Sequence, residues 1–170
     1  MLALILGGSA SGKSEYAERL VMKQSGRHIY LATMVPWGQE SRERVEKHRL
    51  SRKGRGFQTV ERYVDLSHLM LPLPASVLLE DLGNLVANEL FHPDGGGVEA
   101  VQSGLLHLEE ICDNITVVSN DIFSDGQRYV DDTHRYLKVL AGIHRSLAAR
   151  ADLVIESVCG LPDVWKGGLP

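Results

Sequence analysis

The chain has 170 residues, a length that suits one domain, 1–170, with a full core. Hydrophobic residues make up 44% and charged residues 24%, which is ordinary for a globular protein. No apolar run is long enough to cross a bilayer and no basic signal segment opens the chain, so we expect a cytoplasmic protein without a membrane span. The net charge is −4, yet eight of the 18 Lys and Arg residues fall between Arg42 and Arg62, where we expect an anionic ligand.

Predicted strands and helices alternate along the chain. In order, we expect a strand at 2–6, a helix at 13–23, a strand at 28–33, a polar helix at 41–53, a strand at 77–79, helices at 82–91 and 98–112, a strand at 115–119, a long helix at 129–150 and a strand at 153–158. Such alternation is typical of βαβ units. It predicts an α/β fold, a mostly parallel sheet with helices on both faces.

The first strand runs directly into a glycine-rich loop, GGSASGKS. Gly7, Gly12, Lys13 and Ser14 satisfy the pattern G-x-x-x-x-G-K-[ST] between a predicted strand and a predicted helix, which predicts a P-loop NTPase-like domain. Backbone amides of such a loop bind phosphate oxygens, and we expect Lys13 to reach the β- and γ-phosphates and Ser14 to bind Mg²⁺. A glycine-rich turn with an incidental lysine is disfavoured because all four positions match. The spacing also differs from that of NAD-binding loops.

A second candidate for the metal site follows the strand at 77–79. P-loop enzymes place a metal-orienting carboxylate at the end of another core strand, and here Glu80 and Asp81 stand at such an end. Spacing alone allows either residue to serve, and a solvated acid at a strand end is an equal alternative for each.

The polar helix at 41–53 carries a basic face. Arg44, His48 and Arg52 recur every four residues and therefore share one side of a helix. Neighbouring positive charge disfavours protonation of an imidazole, which leaves a nitrogen lone pair able to attack a nucleotide α-phosphate. The alternative is an exposed basic helix with an uninvolved histidine. A nucleic-acid surface is disfavoured because aromatic residues are not interleaved with the charges.

The ordered set of motifs resembles the bifunctional adenosylcobinamide kinase/adenosylcobinamide-phosphate guanylyltransferase family of cobalamin biosynthesis. The matching segments are GGSASGKS, Leu31 to Thr33, Arg44-Val45 with His48 and Arg52, Thr59 to Glu61, Leu78 to Asp81, Asn84 to Leu90, Val118 to Asp121, 136–152 and 160–166. A P-loop alone is common to many families, whereas this combination is far more specific.

The resemblance implies that GTP guanylylates His48, with His48 and Lys13 as catalytic residues. The nucleotide contacts it implies are Gly7, Gly8, Ser9, Ala10, Ser11, Gly12, Lys13, Ser14, Ala32, Thr33, Met34, Arg49, Leu50, Ser51, Arg52, Glu61 and Glu80. It favours Glu80 over Asp81 and implies that Ser14 and Glu80 hold Mg²⁺. It further implies a corrinoid substrate, GTP and either ATP or GTP as nucleotide substrates, and a homotrimer that binds the corrinoid near subunit interfaces.

The sequence departs from the family pattern at three places. Lys53 to Phe57 stands where the family has a proline and a tryptophan, Asn120 to Gly126 lacks the family's proline, and Ala141 and His144 replace a customary Gly and Asn. These changes leave the nucleotide motifs intact. Two other functions stay open at this point: a P-loop kinase of another small molecule, and a catalytically silent nucleotide-binding module.

Overall fold

The computed structural model describes residues 1–36 and 54–168, and these residues form a seven-stranded sheet with helices on both faces. Its strands are β1 (Leu2–Gly7), β2 (Arg27–Ala32), β3 (Phe57–Glu61), β4 (Ala75–Glu80), β5 (Asn114–Asn120), β6 (Leu153–Val158) and β7 (Leu161–Lys166). The strand order is β3-β2-β4-β5-β1-β6-β7. All pairs are parallel except β6 and β7, which are antiparallel.

Four helices and one short 3-10 turn connect the described strands. The helices are α1 (Lys13–Met22), α2 (Leu82–Phe91), α3 (Gly97–Ile111) and α4 (Asp131–Arg150), and the turn is Leu66–His68. None of the described helices is long and apolar enough to cross a membrane. The predicted helix at 41–53 lies outside the described residues.

Side chains alternate between two buried clusters because successive residues of a strand point to opposite faces. Leu4, Leu79 and Val117 pack with α2, α3 and α4 on one face. Ile5 and Leu78 pack with α1 on the other. Full burial of each such side chain contributes about 2 kcal/mol, so both helical layers are held by the sheet.

The predicted strands and helices of the described residues are confirmed, with ends that shift by at most two residues. Strands β3 and β7 were not predicted. Both are exposed at most positions and lie at the two edges of the described sheet, so neither carries the apolar run by which the central strands are recognised.

The parallel register brings several strand ends to one edge of the sheet. Gly7 of β1 pairs with Asn120 of β5, and Ala32 of β2 pairs with both Glu80 of β4 and Glu61 of β3. Open α/β sheets bind ligands outside the carboxyl ends of their strands. The fold therefore places four polar or glycine strand ends, and Ala32 between two of them, where a ligand site is expected.

Candidate active site

The loop between β1 and α1 has the shape of a phosphate-binding cradle. Gly12 is the N-cap of α1 and has a φ of 87°, a left-handed conformation that favours glycine. A Cβ at Gly12 would lie 2.9 Å from the Cα of Gly160, so a larger residue would also collide with the opposing backbone. A helix N-terminus entered through such a loop attracts anions through its amides and its dipole.

Lys13 supplies a cation to this loop. Its side chain is buried, and its ammonium donates a hydrogen bond of 3.0 Å to the carbonyl oxygen of Gly8. The charge is thereby held against the loop that surrounds the expected phosphates.

The turn between β6 and β7 supports the loop from the other side. The Ser157 hydroxyl and the Gly160 amide both donate to the carbonyl oxygen of Ser11, at 2.9 and 2.7 Å. Cys159 in this turn is exposed, whereas Cys112 is half-buried. Its φ of 51° lies in the left-handed region, which is uncommon for a residue other than glycine.

Glu80 and Asp81 have different partners although they are adjacent. The Ser14 hydroxyl donates a hydrogen bond to Oε1 of Glu80. Asp81 is the N-cap of α2, and its Oδ1 accepts from the amide of Asn84 at 2.7 Å while its Oδ2 accepts from Nδ2 of Asn120 at 3.0 Å. Desolvation raises the pKa of Asp81, opposed by the hydrogen bond from Asn84. Glu80 is therefore the acid that faces the loop serine.

These groups surround a cleft of about 740 Å³. The expected nucleotide residues that line it are Ser9, Ala10, Ser11, Gly12, Lys13, Ser14, Ala32, Met34, Glu61 and Glu80. Thr33 is buried beside the cleft, where its hydroxyl donates to the carbonyl oxygen of Asp81 at 2.7 Å. Arg44, His48, Arg49, Leu50, Ser51 and Arg52 lie outside the described residues.

Sequence reasoning gave no ligand role to several residues that also line the cleft. They are Glu15, Tyr30, Thr59, Asn84, Asn120, Cys159 and Gly160; Asp81, which the sequence allows as the alternative metal-orienting acid, lines the cleft as well. Asn120 could have been found, since it ends a predicted parallel strand next to the loop. The contribution of the β6–β7 turn depends on a tertiary contact that has no local sequence signal.

Comparison with protein families identifies the chain. The family model described as cobinamide kinase / cobinamide phosphate guanyltransferase matches residues 3–164. The chain belongs to this family. It is therefore an enzyme of the kinase and guanylyltransferase type, as the sequence motifs suggest.

Two curated relatives match along nearly their whole length. The bifunctional adenosylcobalamin biosynthesis protein CobP of Pseudomonas aeruginosa is 29% identical, with 98% of each chain covered. The bifunctional adenosylcobalamin biosynthesis protein CobU of Escherichia coli is 30% identical, with 95% of this chain and 97% of the relative covered.

A solved structure supports the fold class. The flagellar accessory protein FlaH of Methanocaldococcus jannaschii superposes with a TM-score of 0.51 at 14% identity, covering 98% of this chain and 78% of FlaH. At that identity the likeness concerns the fold alone. Together with the loop geometry and the parallel sheet, it confirms the P-loop NTPase-like α/β prediction.

His144 lies behind the site on α4, one of the positions that depart from the family pattern. It is buried, its Nε2 lies 2.8 Å from the Ser119 hydroxyl, and its ring meets the edge of Phe123 at a centroid distance of 5.6 Å. Desolvation lowers the pKa of His144 to about 4, opposed by the charge of Asp121. Its neutral ring therefore packs directly beneath the strand that presents Asn120.

This burial predicts an acid-sensitive contribution to stability. Because the folded pKa of His144 lies below its ordinary value of 6.5, the unfolded chain binds the extra proton first as the pH falls. The free energy of unfolding should therefore drop by about 3 kcal/mol between pH 6.5 and 4 from this group, at 1.36 kcal/mol per pH unit. Denaturant unfolding at several pH values across this range measures the drop in the free energy of unfolding, which should be smaller in His144→Asn than in the wild type.

His134→Asn, at an exposed position of the same helix, is the matched control for the substitution itself. Equal losses of stability in the wild type and in His144→Asn would contradict the assignment.

Proposed function

We propose that this enzyme phosphorylates the aminopropanol hydroxyl of adenosylcobinamide and then transfers GMP from GTP to the new phosphate, through a guanylyl-His48 intermediate. The observation that carries the proposal is the cleft in which Lys13, Ser14 and Glu80 meet, in a chain that matches the family model from residue 3 to residue 164. The proposed substrates are the corrinoid, GTP, and either ATP or GTP for the kinase step.

The loop would anchor the triphosphate. Its amides and the N-terminus of α1 surround the place where phosphate oxygens bind, and the Lys13 ammonium would leave its contact with Gly8 for the β- and γ-phosphates. A cation fixed there stabilises the negative charge that moves onto the leaving group, and it needs little reorganisation as the reaction proceeds.

Ser14 and Glu80 fit a Mg²⁺ site. The hydroxyl of Ser14 and the carboxylate of Glu80 are hard oxygen donors of the kind that Mg²⁺ prefers. The described residues contain no group of three or more His, Cys, Asp or Glu that could hold a metal by themselves. A Mg²⁺ site completed by phosphate oxygens and water needs only one or two protein ligands. When bound, the ion would neutralise phosphate charge, while Ser14 and Glu80 hold its position directly or through water.

Glu61 would select the base. It lies at the end of β3 on the cleft wall, and the Tyr63 hydroxyl donates to its Oε2 at 2.9 Å. Desolvation, with the bond to Glu61, raises the pKa of Tyr63 to about 12, so the phenol remains a donor. The oriented carboxylate is an acceptor for the two adjacent N–H groups of guanine, whereas adenine presents an acceptor at the matching ring nitrogen.

The guanylyl transfer would proceed in two displacements. A lone pair of the His48 imidazole attacks the α-phosphorus of GTP, and the bond to the bridging oxygen breaks so that pyrophosphate leaves. A phosphate oxygen of the phosphorylated corrinoid then attacks the same phosphorus and displaces His48. Arg44 and Arg52, four residues to either side, would keep the imidazole neutral and balance the charge on phosphorus.

Labelling tests the intermediate. With GTP labelled at the α-phosphate and Mg²⁺, the denatured enzyme should retain acid-labile, base-stable label, because a phosphoramidate has that stability. The label should vanish in His48→Ala and persist in His134→Ala, a histidine outside the proposed machinery.

An unlabelled wild-type enzyme that still folds and binds GTP would exclude the guanylyl-histidine. Transfer or hydrolysis of the γ-phosphate would then separate a kinase of another small molecule from a silent nucleotide-binding module.

The metal assignment predicts a specific loss in Glu80→Gln. The dissociation constant of GTP, measured with Mg²⁺ and with a chelator, should lose most of its Mg²⁺ dependence, because removal of a group that orients a metal lowers metal affinity by about 10- to 100-fold. Glu15→Gln removes another acid from the cleft wall and should shift both constants by a similar factor. A Mg²⁺ dependence equal to that of the wild type in Glu80→Gln would refute the assignment.

We also propose a cytoplasmic homotrimer. In the described sheet, β7 forms one edge and exposes Leu161 and Trp165, each at about 70% of its surface, and apolar exposure at a sheet edge favours contact with another chain. Light scattering should give about three times the 18.7 kDa mass of the chain, and a monomeric mass at micromolar concentration would contradict the proposal.

A further inference from the structure

The cleft contains a second strand-end carboxylate that the proposed function does not use. We propose that Asp81 is the general base of the kinase step, accepting the proton of the corrinoid hydroxyl as that oxygen attacks the γ-phosphorus. The inference rests on the proposed function and deepens it, since it assigns the proton transfer to one residue.

Asp81 is held in a defined orientation. Oδ1 accepts from the Asn84 amide at 2.7 Å and Oδ2 accepts from Nδ2 of Asn120 at 3.0 Å, while the Thr33 hydroxyl donates to the Asp81 carbonyl oxygen at 2.7 Å. A carboxylate oxygen has two acceptor positions, so each one retains a position for a further proton donor. The residue is partly buried and lines the cleft, which makes that position accessible to a bound substrate.

Its neighbours place Asp81 at the phosphate end of the cleft. The carboxylate follows Glu80 directly, and Asn120, its hydrogen-bond partner, pairs in register with Gly7 at the start of the loop. Lys13 and Glu80 line the same cleft as Asp81. The proposal therefore places the attacking hydroxyl on the side of the cleft that Asp81 lines.

The other acids on the described cleft wall are less suited to this step. Glu80 bonds to Ser14 at the proposed metal site, Glu61 bonds to Tyr63 on β3, and Glu15 is exposed in the first turn of α1.

The step balances without an additional reactant. The hydroxyl oxygen forms a bond to the γ-phosphorus, and the bond from that phosphorus to the bridging oxygen breaks, its electron pair leaving with the nucleoside diphosphate. The hydroxyl proton moves to Asp81, which later releases it to solvent. Guanylyl transfer uses an imidazole lone pair and an ionised phosphate oxygen as nucleophiles, so it requires no proton acceptor at Asp81.

This difference between the two reactions gives the test. Asp81→Asn and Asp81→Ser keep a side chain that can cap α2, but they remove the base. Phosphorylation of adenosylcobinamide, followed with nucleotide labelled at the γ-phosphate, should fall by about 100- to 10,000-fold. Guanylylation of the enzyme by α-labelled GTP without corrinoid should stay within about threefold. Asp132→Asn, an exposed acid in the first turn of α4, should change neither reaction.

Each other outcome overturns the inference. Phosphorylation within about threefold of wild type in both variants would exclude Asp81 as the base. Equal loss of both reactions, or a lowered melting temperature with loss of GTP binding, would make Asp81 a structural cap only. If the wild-type enzyme itself gave neither reaction, both the proposed function and this inference would be wrong. That result differs from a loss of activity in the variants alone.

Discussion

The whole site depends on the position of β1 in the interior of a parallel sheet. Because β1 pairs with β5 on one side and β6 on the other, its last residue, Gly7, is fixed beside Asn120 and above the turn that follows β6. Ser157 and Gly160 then bond to the carbonyl oxygen of Ser11. The loop is thus held by the sheet beneath it and by the adjacent turn, which orders its backbone amides at the N-terminus of α1.

The same edge gives two adjacent carboxylates different chemistry. Glu80 ends β4 and meets the Ser14 hydroxyl, whereas Asp81 begins the next helix and is enclosed by the Asn84 amide and the Asn120 side chain. In our proposal, these surroundings make Glu80 a metal-orienting acid and Asp81 a proton acceptor, as environment does in other enzymes that use paired carboxylates. One strand end can therefore contribute to metal binding and to proton transfer.

The parts of the fold that the sequence predicts are those with a local cause. The apolar run of β1 and the four motif positions of the loop lie within the first fourteen residues, so one short segment predicts both the strand and the loop. The central strands can also be predicted, because they are largely continuous apolar runs. Strand β3 and strand β7 form through pairing with β2 and β6 at exposed edges, which their own residues do not indicate. The link between Asp81 and Asn120 joins residues 39 apart, and only the strand order brings them together.

For both proposed reactions to occur in one cleft, the triphosphate must expose its α-phosphorus to one nucleophile and its γ-phosphorus to another. If the loop and Lys13 hold its terminal phosphates near Asp81 while Glu61 binds the base at the end of β3, the α-phosphorus lies between the two. In the proposed mechanism, a hydroxyl beside Asp81 attacks the γ-phosphorus and the His48 imidazole attacks the α-phosphorus. The two nucleophiles attack different atoms of a similarly anchored nucleotide, so each activity can be lost without the other. The separate effects expected of Asp81 and His48 follow directly from this arrangement.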